Sequence, residues 1–197
     1  MYLGTGIQGG GMDRANNVGP AAAEIIRVNA DDSWDLIVGD PRETASGPVE
    51  PLSGLRAGFG NFFNGYVWAL ASHSGWLYAG TYDWSLTMRW SELNRSPPKV
   101  RRLFELLDPE VVIENEAGAD LWRSSDGENW LPVTRRGFGN PFNVGVRNLV
   151  STPHGLFVGT ANLFGPRVAV RAGNGWRYED NPDGGLEVWL GDRSEPA

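Results

Sequence analysis

The sequence predicts an all-β protein built from repeated four-stranded antiparallel units. Three observations carry that prediction. First, GFGNFFNGYVWALASHSGWLYAGT (58–81) aligns without a gap on GFGNPFNVGVRNLVSTPHGLFVGT (137–160), and twelve of the 24 positions are identical. Second, runs of four to seven alternating or apolar residues are bounded by Gly, Asn, Asp, Ser or Pro, the pattern of short strands between tight turns. Third, Gly fills 27 of 197 positions and Trp fills 9, while stretches with helical periodicity are scarce.

The elements follow in chain order. MYLGT (1–5) matches the LYAGT and LFVGT ends of the long repeat, so it reads as the second strand of a first unit. AEIIR (23–27) and SWDLIV (33–38) supply its third and fourth strands; residues 1–40 thus form a unit lacking its innermost strand. The second unit, 66–134, is complete, with VWALAS, GWLYAGT, ADLWR (119–123) and NWLPV (129–133). The third, 145–191, has VRNLVS, GLFVGT and LEVWL (186–190) and lacks its outermost strand. Ordered copies of this kind predict a single domain over 1–197, a β-propeller-like array of about two and a half blades. Such an array leaves two sheet edges open. The expectation is therefore that Met1 lies inside a larger natural protein or that copies form a ring, the missing blades coming from a longer chain or from homo-oligomerisation. Between the second and third strands of the second unit, KVRRLFELLDPE (99–110) predicts one short inserted helix near 99–108. Val100, Leu103, Phe104 and Leu107 make its apolar stripe, behind Pro97 and Pro98.

SSDGENW (124–130) resembles the Asp-box, the turn motif of sialidase-like (BNR-type) propellers, which runs Ser-x-Asp-x-Gly-x-x-Trp. This copy departs from it: Gly127 follows Asp126 directly, and Trp130 comes one residue early. With GFGN, LYAGT and DLWRSSDG, nearly the whole chain resembles a group of uncharacterised bacterial propeller proteins. The resemblance implies a structural role for Ser124, Asp126, Gly127 and Trp130. Ser and Asp hold the turn's backbone N–H groups, Gly takes the positive φ and Trp packs between blades.

Composition excludes several function classes. A net charge of −7 with scattered Lys and Arg argues against a nucleic-acid surface. The absence of Cys excludes disulfides and thiolate chemistry. MYLGTGIQGGG lacks the basic and apolar regions of a signal peptide, and no run approaches the roughly 18 apolar residues of a membrane span. The expectation is a soluble protein without membrane contact, its compartment unassigned. No HExxH, no GxSxG elbow and no Walker loop is present. His73 and His154 fall in hairpin turns away from the long connections, so neither a metal centre nor a cofactor is expected.

The long connections, about 6–22, 82–118 and 161–185, join second to third strands and emerge on one face together with the connections between units. Function concentrates on such loops. Candidate ligand-binding residues on that face are Asp83, Trp84, Asn64, Asn143, Asn162 and Arg147. Asp83 beside Tyr82, Trp84 and Trp90 has the chemistry of a sugar-binding surface, while turn chemistry is the default reading of the repeated Asn residues, with a polar ring around a channel-mouth ligand as the alternative. Glu24, Asp120 and Glu187 repeat ahead of the third strands and read either as structural supports or as a site at the channel mouth. No residue is assigned a catalytic role. The leading function is a non-catalytic scaffold that binds a small molecule, glycan or protein on the long-loop face. A glycan-active hydrolase or lyase of the Asp-box type is one alternative, with Arg42, Arg147 and Arg167 near the relevant face, although sialidase-type chemistry also needs a Tyr–Glu pair. A structural assembly unit is the other.

Overall fold

The computed structural model describes residues 1–6, 21–91, 98–173 and 175–191. It is mostly strand, in antiparallel ladders that curl. In the first unit β1 (Tyr2–Gly4), β2 (Ile25–Val28) and β3 (Trp34–Val38) pair in that order. A separate hairpin follows, β4 (Arg42–Thr44) with β5 (Gly47–Val49). The second unit is a meander of β6 (Asn64–His73), β7 (Trp76–Asp83), β8 (Leu121–Ser124) and β9 (Trp130–Thr134). The third begins with β10 (Gly145–Thr152) and β11 (Gly155–Ala161). After an inserted hairpin, β12 (Arg167–Ala172) with β13 (Gly175–Asp180), it ends on β14 (Val188–Gly191), which pairs with β11. One bridge, Gly145 to Tyr82, joins the second and third units into a seven-stranded sheet.

The structure departs from the sequence expectation in its insertions. Two helices replace the single one near 99–108: α1 (Pro98–Leu106) and α2 (Pro109–Glu116). The break has a local cause. Pro109 forces Asp108 out of helical geometry (ψ 115°), and the Asp108 carboxylate then accepts the Glu110 N–H as an N-cap. Phe104 and Val112 pack with Phe63, Trp84 and Met88, and Leu107 lies against that cluster. The side chains of Val100 and Leu103 lie outside the described residues, as does Pro97. Two hairpins, β4–β5 and β12–β13, also occupy stretches read as plain connections. Neither recurs elsewhere among the described residues, so a reading built on repeats passes over them.

The seam between the first and second units is an apolar layer. Ile25, Ile37 and Val38 face Ala79, Trp122 and Trp130, with Phe59 between them. Phe59 stacks on Trp122 at 4.7 Å and 8°, and Trp130 meets Phe59 edge-on at 5.6 Å. Phe59 reaches this position from a left-handed backbone (φ 59°), flanked by Gly58 and Gly60 with φ of 66° and 82°. Two glycines free of that strain allow close approach from strand to strand. A Cβ on Gly4 would lie 2.5 Å from Val67 Cγ1, and one on Gly80 would lie 2.4 Å from Val146 Cγ1. In each case the second strand of one unit receives a Val from the innermost strand of the next, which is why Gly precedes Thr in MYLGT and LYAGT.

The turn from Ser124 to Trp130 closes on its own side chains. Ser124 Oγ accepts the Gly127 N–H at 2.8 Å, and Asp126 Oδ1 accepts the N–H groups of Glu128 and Asn129 at 2.9 and 2.7 Å. The Asn129 amide donates to Asp126 Oδ2 at 2.7 Å; that bond leads the contacts holding the Asp126 carboxyl well below the usual carboxylate range.

Two stability outcomes follow from these contacts. Trp130→Ala should cost roughly 3–5 kcal/mol in a urea melt, since it empties the aromatic layer. Trp130→Phe should cost under ~2 kcal/mol, because the buried indole N–H has no acceptor to lose. Gly80→Ala should destabilise more than Gly159→Ala. The Gly80 Cβ would strike Val146 of the next unit, whereas the Gly159 Cβ would come no nearer than 3.2 Å to Asn148 of its own unit. Equal costs would show that the close approach is not structurally important.

Candidate functional site

At the long-loop end of each unit, a Thr at the end of the second strand is tied to an acid ahead of the third. Thr81 N–H donates to the Asp120 carbonyl at 2.9 Å, and Asp120 N–H donates back to Thr81 Oγ1 at 2.8 Å. The same pair of bonds joins Thr160 to Glu187 and Thr5 to Glu24. In the second and third units an Asn from the innermost strand, or two residues ahead of it, completes the staple. Asn64 Nδ2 donates to Asp120 Oδ2 and to the Gly58 carbonyl, both at 2.9 Å, and its Oδ1 accepts the Thr81 hydroxyl at 2.8 Å. Asn143 Nδ2 likewise donates to Glu187 Oε2 and the Gly137 carbonyl at 2.9 Å. The acids also accept indole N–H groups, Trp122 onto Asp120 and Trp189 onto Glu187.

The sequence candidates fall into this interior. Asn64, Asn143 and Asp83 are fully buried, and Asn162 is nearly so. Asp83 Oδ1 accepts from the Ser85 N–H at 2.9 Å and from the Ser85 hydroxyl; Oδ2 accepts from Asn61 at 3.1 Å. Asn162 donates to Asn143 Oδ1 at 3.3 Å and to the Asp183 carbonyl at 2.8 Å. Trp84 is buried, edge-on to Phe63 at 4.8 Å. Trp90 stacks on Phe164 and donates to the Ala169 carbonyl, so these loop aromatics pack on neighbouring loops. Arg147 alone of the candidates is exposed, its guanidinium 5.5 Å above Trp68. The three arginines weighed for a hydrolase have separate neighbours: Arg42 pairs with Glu24, Arg147 covers Trp68 and Arg167 lies over Tyr178. His73 meets Ser151 at 2.9 Å at the hairpin end of β6 and β7, remote from the staples along the strands.

Burial dominates the electrostatics. Loss of solvent pushes Asp83 up to about 7 against the bonds from Ser85 and Asn61. The same cause pushes Asp120 up to about 7, opposed by Trp122, Asn64 and, at 3.9 Å, Arg135. Asp120 Oδ1 is buried without a partner, and a proton there would relieve the unsolvated charge. Glu187 is desolvated less. Bonds from Asn140, Asn143 and Trp189 outweigh that burial and hold its carboxyl low.

An open cleft of about 800 Å³ lies on the same face at the junction of the first and second units. Ala22, Glu24, Asp40, Arg56, Gly60 and Phe62 are among its walls. Its charges form two pairs, Arg42–Glu24 at 2.6 Å and Arg56–Asp40 at 3.3 Å. Sequence reasoning did not single out Asp40, Arg56 or Phe62. One signal was present: the first unit has the acid of the staple but, among the described residues, no innermost strand that brings an Asn to it, and Glu24 faces the cleft. Among the described residues no group of three His, Cys, Asp or Glu is placed to hold a metal ion, and no helix is long and apolar enough to cross a membrane. No family model, curated protein or solved structure matches the chain.

The raised carboxyls set a pH dependence with a definite sign. Folded Asp83 and Asp120 bind protons more tightly than the unfolded chain does, so stability falls as pH rises from about 4 through about 7. Asp31, Asp35 and Glu187 are shifted the other way, and their contribution is lost only in more acidic solution. Urea melts should therefore show greater stability at pH 5 than at pH 8. Asp83→Asn, which places here the residue found at the equivalent position 162, should shrink that difference. Stability that rises across this window would contradict the assignment.

Proposed function

We propose that the three units are blades of a partial β-propeller, with further blades supplied by a longer chain or by other copies, and that the molecule is a non-catalytic binding scaffold. Its ligand seats in the cleft of Glu24, Asp40, Arg56 and Phe62. The open cleft on the long-loop face is the observation that carries this reading. In the second and third units Asn ties down the staple acid, whereas in the first unit Glu24 borders solvent-accessible space. Carboxylates and guanidinium groups on the rim suit the hydroxyls of a glycan or a small polar metabolite. Phe62, 40% exposed, offers a face to its C–H surface. The buried state of Asp83 and Asp120 supports a structural task for those acids over general acid–base work, since neither reaches substrate from the interior. The turn of Ser124, Asp126, Gly127 and Trp130 supports the Asp-box reading as scaffold.

A glycan array and a thermal-shift screen of polar metabolites test the proposal. A hit should lose about tenfold in affinity in Phe62→Ala and in Glu24→Gln, both of which leave the staple's backbone bonds in place. A hit indifferent to both substitutions would move the site elsewhere. Conversion of the hit into product would replace the scaffold reading with the hydrolase one.

A further inference from the structure

We propose that the seam between the second and third units is a docking groove for an added β-strand carrying a tryptophan with an acidic residue two positions ahead of it. The inference rests on comparing the molecule's two seams and is independent of the cleft ligand. At the first seam Phe59 stacks on Trp122 at 4.7 Å, and Trp130 of the outermost strand covers the pair. At the second seam the equivalent residues, Phe138 and Trp189, stack in the same way at 4.8 Å and 14°. Among the described residues no outermost strand covers them. Trp122 is 5% exposed and Trp189 is 41% exposed.

The space left open is a groove of about 690 Å³, lined by Trp76, Tyr78, Arg123, Phe138, Leu156 and Trp189 among others. Among the described residues β14 pairs only with β11, and all four of its residues are exposed; β8, its counterpart, pairs on both sides and is largely buried. The groove therefore offers a free row of backbone donors and acceptors beside an empty aromatic seat, the arrangement that strand addition uses.

Charge selects the occupant. At the first seam Arg27 of β2 meets Glu128, two residues ahead of Trp130, at 2.6 Å. Arg123 of β8 holds the equivalent place at the second seam. It has no carboxylate partner among the described residues and lies 4.5 Å over the Trp76 ring. An incoming strand that sets its indole on Phe138 in the Trp130 manner brings the residue two positions earlier towards Arg123. An acid there completes the pair.

The probe is a fluorescein-labelled peptide of residues 124–134, SSDGENWLPVT, titrated with the full chain and read by anisotropy. Saturable binding is expected, weakened at least tenfold by Trp130→Ala in the peptide. Arg123→Glu in the protein should weaken binding about tenfold, and Glu128→Arg in the peptide should restore it. That rescue separates a charge contact from a folding defect. Absence of saturable binding, equal binding of the Trp130→Ala peptide, or failure of the charge swap overturns the proposal. So does self-association through this seam that the peptide fails to compete, which would mean that a second copy covers it. A glycan-array signal abolished by Trp189→Ala without peptide binding would assign the groove to a saccharide instead.

Discussion

The reciprocal hydrogen bonds between a threonine at the end of one strand and an acid at the start of the next hold the long-loop end of every unit together. In the second unit that staple brings Thr81 and Asp120 together across 39 residues of chain. Closing so long a loop has an entropic cost that two backbone-involving bonds offset only when water is excluded from them. Exclusion in turn requires the acid's side chain to be buried with partners, and Asn64 and Trp122 are those partners. The insertion carrying α1 and α2 can thus vary in content without disturbing the sheet that it leaves and re-enters.

A second constraint acts between units. Val67 and Val146 press onto glycines of the preceding unit, so the innermost strands approach more closely than side chains would normally allow. This approach fixes the spacing at which Phe59 can reach Trp122 and Phe138 can reach Trp189. Both phenylalanines use the same left-handed backbone, with φ of 59° and 60°. A non-glycine residue held there has a conformational cost that its surroundings must offset. At the first seam Trp130 and Ile25 help to offset it. At the second the stack keeps the same geometry with less cover, so GFGN and the close strand approach, and not Trp130, set the geometry.

Much of this was legible in the sequence because the repeat displays it twice. Asn61 and Asn140, Asn64 and Asn143, Thr81 and Thr160 are identical at one offset. Asn64 and Asn143 donate to equivalent acids and carbonyls, and Thr81 and Thr160 make the same reciprocal pair. Asn61 and Asn140 both accept the N–H two residues on but donate to different acids, Asp83 and Glu187. Identity alone does not say whether such residues face water or the interior. A loop Asn that caps a backbone carbonyl and one that awaits a ligand have the same letter, and burial is decided by units that pack from outside the local segment. The helix break at Asp108–Pro109 was also legible in principle, as an N-cap ahead of a proline at the first helical position. The cleft beside Phe62 was not legible, since it depends on how the connection after β3 crosses the first unit.

The departures from the repeat are also where the molecule is chemically open. A complete unit uses its acid, its aromatic stack and its outer edge internally, leaving little for a partner. Among the described residues the first unit shows no innermost strand, and its acid Glu24 borders a cleft in place of meeting an asparagine. Among the described residues the third shows no outermost strand, and its stacked pair borders a groove in place of meeting a second tryptophan. The recognition proposed at both ends would reuse contacts that elsewhere stabilise the fold. The energetic consequence is shared too: a group that completes either opening adds to folding stability by mass action, in the same way that Trp130 does covalently.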